Sequence, residues 1–239
     1  MTRSTVAVGL LFALGSISPI LADTTSLQSI LTNANGTQTT DFTGYNTGGF
    51  NTTTGIGTLT YTYNPGPGSY FFDVFLDPSL NLPFFNEFGT VNGAPAAGQS
   101  YEIGDSFASN IYADVQAGGA LADTNTLPGA ADNFNNACSG AKCNGDFAGA
   151  LGFSFTLSPG EQEVITLNVS HTQPREFSLQ DTHPVDPANP TELNLYISGD
   201  AVSEPIGTSP VPEPTTTGFL GIGLAILLVA FRRRLSIHS

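Results

Sequence analysis

From Leu151 to Ser158 the chain changes character at every residue. Leu151, Phe153, Phe155 and Leu157 alternate with Gly152, Ser154, Thr156 and Ser158. A period of two sends successive side chains to opposite faces, so this segment reads as a strand with one apolar face. Pro159-Gly160 turns the chain, and Glu163 to Ser170 alternates again with Ile165, Leu167 and Val169 on one side. The two runs predict a hairpin. Gly57 to Tyr63 repeats the pattern, with Leu59, Tyr61 and Tyr63 opposed to Thr58, Thr60 and Thr62. Asn64-Pro65-Gly66-Pro67-Gly68 then signals a turn. Ser69 to Asp77 follows, apolar on both faces, as a central strand. Gly57 to Asp77 is predicted to be a second hairpin.

Other segments are quieter. Leu27, Ile30 and Leu31 open a first short helix or strand, and a strand is expected around Phe42 to Tyr45. Ser100 to Ile103 and Phe107 to Gln116 supply two more strands, the second with Ile111, Ala113 and Val115 on one face. Leu193, Leu195 and Ile197 form the last inward-facing set. Asn86 to Gly98, Gly118 to Gly149 and His171 to Asn189 read as loops, and the chain turns linker-like from Gly199. Phe84, Phe85 and Phe88 read as core rather than as a ligand platform. Short strands punctuated by 27 Gly and 16 Pro predict an all-β fold. The expected architecture is one antiparallel β-sandwich or jelly-roll-like domain.

Both ends of the chain differ from this body. Arg3 followed by an apolar core, Val6 to Leu14, and a small-residue region ending at Ala22 reads as a secretory signal peptide over residues 1–22. The exported domain is expected at 23–205, with 206–210 as linker. At the other end, Pro212-Glu213-Pro214 makes a stiff extended peptide. An uncharged run, Gly218 to Phe231, follows as a short transmembrane helix, and Arg232, Arg233 and Arg234 close it. Arginines beside an apolar segment mark the cytoplasmic side, so the body lies outside.

This order of parts over residues 211–239 resembles the PEP-CTERM sorting signal of Gram-negative bacteria. Pro212, Glu213 and Pro214 match its motif, residues 218–231 its transmembrane segment, and Arg232 to Arg234 its basic stop. The resemblance implies recognition and cutting by exosortase, a membrane cysteine transpeptidase. It implies passage through the inner membrane to the envelope, surface or extracellular matrix. The chain is then the substrate of that reaction and supplies no catalytic residue to it.

Charge narrows the partners. Six Lys and Arg stand against 20 Asp and Glu, a net charge of −14. Arg3 and the tail arginines leave only Lys142 and Arg175 in the body. Such a surface repels nucleic acid. Cys138 and Cys143, close together in an exported chain, are expected to form a disulfide. The loop from Asp123 to Asp146 offers carboxylate, Asn and backbone oxygens, which suit a structural calcium, though without EF-hand spacing.

Catalytic patterns are absent: no Gly-x-Ser-x-Gly, no His-Glu-x-x-His and no phosphate loop with its lysine. His183, in Asp181-Thr-His-Pro-Val-Asp186, reads as a solvated loop histidine, with metal ligand or base as the alternative. No pair of acids is singled out for glycoside hydrolysis. The reading is a non-enzymatic, structural protein of the extracellular polysaccharide or biofilm layer, with no cofactor. A carbohydrate-binding or calcium-dependent adhesin module is the first alternative, a secreted hydrolase the second.

Overall fold

The computed structural model describes residues 25–80, 87–127, 145–183 and 192–207. These residues build two six-stranded sheets. The first contains β1 (Thr25–Ala34), β2 (Thr37–Thr39), β5 (Gly68–Leu80), β7 (Gln99–Asp105), β8 (Thr124–Asn125) and β9 (Phe147–Leu157), in the order β2-β1-β5-β9-β7-β8. The second contains β3 (Tyr45–Asn51), β4 (Ile56–Tyr63), β6 (Phe88–Asn92), β10 (Glu161–Ser170), β11 (Ser178–His183) and β12 (Leu193–Pro205), in the order β3-β4-β10-β12-β11-β6. Every pairing is antiparallel except β7 with β8. All-β is therefore right.

The core lies between the sheets. Ile30, Phe72, Val74, Leu76, Leu151 and Phe153 come from the first sheet. Leu59, Ile165, Leu167, Leu179, Leu195 and Ile197 meet them from the second. Apolar burial on this scale is the main term holding the sheets together. Aromatic rings add geometry: Phe72 lies 4.9 Å from Tyr61 and 6.4 Å from Tyr45, ring centre to ring centre. Tyr45 keeps its hydroxyl satisfied inside the core through a 2.8 Å bond with the Thr32 hydroxyl.

Both predicted hairpins are corrected. β4 pairs with β3 and β10, whereas β5 pairs with β1 and β9. Likewise β9 lies in the first sheet and β10 in the second. The chain crosses from sheet to sheet at each of these turns, so the two strands face each other across the core. Alternation with a Pro-Gly turn is common to both arrangements, because either way one face of each strand is buried. A true hairpin occurs between β1 and β2, where Asn35 and Gly36 take φ of 48° and 91°. Positive φ at two consecutive turn residues, Asn-Gly, matches the right-handed twist of the strands.

The expected strand from Phe107 to Gln116 is instead a helix, α1 (Ile111–Ala117). Ile111 and Val115 are buried, while Ala113 is exposed. Spacing of four keeps one helical face inward, and spacing of two happened to fit the same residues. The helix covers the outer face of the first sheet with Leu31, Phe75, Ala148 and Ala150 beneath it. Asn33 of β1 fastens its end: the side-chain amide donates to the Val115 and Gln116 carbonyls at 2.8 and 3.0 Å. Those carbonyls have no partner within the helix, so a side chain from the sheet supplies one. This outer cover explains why β5 is apolar on both faces.

Other expectations shift as well. The loops read at Asn86 to Gly98, Gly118 to Gly149 and His171 to Asn189 contain β6, β8 with the start of β9, and β11. The linker-like Gly199 to Pro205 is strand, paired residue by residue with β10 from Gly199↔Leu167 to Pro205↔Glu161. The strand expected near Phe42 begins at Tyr45. Among the described residues no helix is long and apolar enough to cross a membrane. The signal peptide, the transmembrane segment 218–231 and the Cys138–Cys143 disulfide lie outside the described residues, as do Phe84 and Phe85.

Candidate functional site

Acidic side chains gather where β5 ends and β9 begins, the end of the sandwich that also carries β11. Their sources are local. In Phe71-Phe-Asp-Val-Phe-Leu-Asp77, the residues Phe72, Val74 and Leu76 enter the core, so Asp77 falls on the helix-covered face. Asp146 immediately precedes inward-facing Phe147. Asp181 lies in β11 opposite Leu195, between Leu179 and His183, and so faces inward. Glu87 leads into β6.

A close approach of backbones assembles them. Gly89, paired with Asp181, has no room for a Cβ: one would stand 2.3 Å from Ile103 Cγ2. Glycine here lets β6 lie against the first sheet. The Gly89 and Glu87 amides then donate to the Leu127 and Gly145 carbonyls at 2.7 and 2.8 Å. That brings the Glu87 carboxylate to two buried amides, Leu80 N–H at 2.7 Å and Phe147 N–H at 3.0 Å. Glu87 thus ties the end of β5 to the start of β9.

Each acid is held differently. Asp77 Oδ2 accepts from the Ser29 hydroxyl at 3.3 Å, and Asp146 Oδ2 accepts from the Ser106 hydroxyl. Asp105 steadies the turn before α1 by accepting from the Phe107 and Ala108 amides at 2.9 and 2.8 Å, and its other oxygen accepts from Asp146 N–H. Asp181 is fully buried, and neither of its oxygens has a hydrogen-bond partner. Oδ1 of Asp77 and Oδ1 of Asp146 are buried without partners too.

The electrostatics follow from this burial. Loss of water pushes the Asp77 carboxyl up to about 7, and the nearby Asp146 charge adds to it. Burial likewise lifts Glu87 to about 8, against the two amide bonds that favour its charged form. Asp146 rises through burial, with Asp105 beside it. Asp181 is raised well above the ordinary carboxylate range, first by burial and then by Glu87, Asp146 and Asp77. The three neighbours that raise it are all carboxylates.

Two surface hollows lie elsewhere. One, of about 500 Å³, is bordered by Asn35, Ser69, Phe71, Ser154 and Thr156 on the outer face of the first sheet. The other, of about 420 Å³, carries Glu176 as its one acid.

The sequence-derived candidates fare unevenly. Pro212, Glu213, Pro214, Arg232, Arg233 and Arg234 lie outside the described residues, as do Cys138, Cys143 and Asp132. Of the acids offered for calcium in the Asp123–Asp146 loop, Asp146 joins the cluster. Asp123 instead accepts the Tyr101 amide at 2.9 Å, away from it. His183, expected in solvent, is buried in β11 on the same face as Asp181. Asp77, Glu87 and Asp181 were not singled out by sequence. The available signal was an acid at an apolar position of an alternating strand: Asp181 two residues after Leu179.

The fold defines an acidic, all-β domain of two sheets whose charged groups are largely internal at one end. Residues 210–234 match the PEP-CTERM protein-sorting motif. The chain thus carries the sorting signal that its tail resembles, a signal for exosortase-dependent sorting to the cell surface. No curated protein and no solved structure matches the chain.

Proposed function

We propose that the chain is a non-enzymatic structural protein of the extracellular matrix or biofilm layer, delivered there after exosortase cuts its tail. The observation that carries this reading is the motif at 210–234 directly behind the sheet domain. Pro212, Glu213 and Pro214 form the extended peptide presented for cutting. Residues 218–231 hold the precursor in the inner membrane, and Arg232 to Arg234 stay on the cytoplasmic side. The arrangement of acids supports a structural role: the clustered carboxylates are buried, and neither hollow offers two facing acids. Expression in a host with exosortase, followed by mass spectrometry of the mature C-terminus, tests it. The expected product lacks Arg232 to Arg234; a mature surface protein that retains them refutes processing.

The hydroxyl- and amide-bordered hollow beside Phe71 favours a second reading, contact with polysaccharide through Ser69, Ser154, Thr156 and Asn35. Such groups hydrogen-bond sugar hydroxyls, and an aromatic edge covers a sugar face. Glycan-array binding that disappears in Ser154→Trp supports this reading, and absence of binding to any glycan removes it.

A further inference from the structure

We propose that the far half of β12 is a docking edge for an extended basic peptide, which adds to the second sheet as a further strand. β12 is longer than one of its neighbours. Its pairing with β10 runs to Pro205, whereas its pairing with β11 stops at Ile197. From Gly199 onward, among the described residues, β12 therefore has one strand partner, on the β10 side. Asp200 and Ser203 to Pro205 are exposed, Val202 is half exposed, and Ile206 just beyond is 45% exposed.

The register says which backbone groups face the open side. Ile206 N–H donates to the Gly160 carbonyl, and residue 206 opposite 160 continues the β10 pairing. In an antiparallel pair, bonded and non-bonded positions alternate, so even-numbered residues of β12 turn toward β10 and odd-numbered ones turn away. Gly199, Ala201, Ser203 and Pro205 thus present the open edge. Three groups on it are already dealt with. The Gly199 carbonyl accepts from the Gln99 side-chain amide at 3.2 Å. Ala201 N–H donates to the Asp200 carboxylate at 2.9 Å. Pro205 has no N–H to give. The Ala201 carbonyl and both groups of Ser203 remain for an added strand, and such unpaired edge groups are a template for pairing.

The side chains on this edge select the partner. Asp200, Val202 and Glu204 stand on the outer face, over Thr166, Val164 and Gln162 of β10. An antiparallel peptide set against Ser203 places alternate side chains opposite Glu204, Val202 and Asp200. The matching pattern is Lys or Arg, any residue, an apolar residue, any residue, then Lys or Arg. A basic group opposite Asp200 also draws that carboxylate away from Ala201 N–H, which then joins the ladder. A second copy of this chain fits poorly. Self-pairing centred on Val202 sets Asp200 opposite Glu204 twice, and like charges directly opposite are destabilising. Centred on Ser203, it sets Ala201 against Pro205, which lacks the donor.

Fluorescence anisotropy tests the proposal, with a labelled Thr-Lys-Thr-Val-Thr-Lys-Thr peptide and the full chain in a non-ionic detergent at physiological salt. Saturable binding is expected. The same peptide with Glu in place of both Lys is expected to bind about tenfold more weakly or not at all. Ser203→Pro removes an open donor at an edge and is expected to abolish binding, whereas Ser203→Ala keeps the N–H and is expected to bind as the natural chain does. Should Ser203→Pro fail to fold, exposed Asp200→Lys with Glu204→Lys serves in its place and is expected to reverse the preference toward the Glu peptide. Absence of binding by the Lys peptide overturns the proposal, including where a segment of this chain already occupies the edge. Equal binding of the two peptides, or binding that survives Ser203→Pro, overturns it too. So does a dimer that Ser203→Pro dissolves and the peptide does not, because the occupant is then a second copy.

Discussion

Asp73→Asn tests whether burial of uncompensated acid sets the stability of this domain. Asp73 sits in β5 beneath the turn that leaves α1, with no exposed surface. Oδ2 accepts from Gly119 N–H at 3.0 Å, and Oδ1 is buried without a partner. Burial lifts its carboxyl from 3.8 to about 7, against the Gly119 bond and with Glu102 adding repulsion. A raised folded-state value means that the native chain holds its proton where the unfolded chain has lost it. Stability is therefore greatest at acid pH and falls as pH rises from about 4 through about 7, then levels off. Between pH 5 and pH 8 this one group costs about 2 to 3 kcal/mol. Asn keeps the acceptor for Gly119 and removes the titration. Thermal unfolding in chelator at both pH values measures the difference. Relative to wild type, Asp73→Asn is expected to gain about 5 to 10 °C on moving from pH 5 to pH 8. Parallel pH dependence in the two proteins would refute the reasoning.

Other outcomes follow from single contacts. Tyr45→Phe leaves the Thr32 hydroxyl without its partner inside the core and is expected to cost about 1 to 3 kcal/mol in urea unfolding. Gly57→Ala places a Cβ 2.1 Å from the Gly49 carbonyl oxygen at a φ of +127°, so a loss above about 2 kcal/mol is expected by the same measurement. Pro212→Ala with Pro214→Ala removes both prolines of the sorting motif. Uncut precursor is expected to accumulate in the membrane fraction, as read by immunoblot.

Much of the strand pattern was legible because burial on one face writes a period of two into sequence. Leu151 to Leu157 and Ile165 to Val169 carried it plainly. What alternation does not encode is the partner. β4 and β5 look like a hairpin, yet each bonds to strands far away in sequence, because the buried face is the same in an arch. The helix at Ile111–Ala117 was hidden by its length: in seven residues, periods of two and four coincide at Ile111 and Val115. β11 was hidden by its flanks, since Pro174, Pro184 and Pro187 make the whole stretch read as loop. The sorting motif was legible for the opposite reason. It is a linear peptide, read by another protein and independent of folding.

The last strand has a geometric consequence. β12 runs beside β10 as far as the Pro159-Gly160 turn, where Ile206 N–H meets the Gly160 carbonyl at 2.8 Å. Asp181 pairs with Leu195, ten residues back along the same strand, about 30 Å away. The acidic pole of the sandwich therefore lies most of a strand's length from the end of the domain that leads to the sorting motif at 210–234.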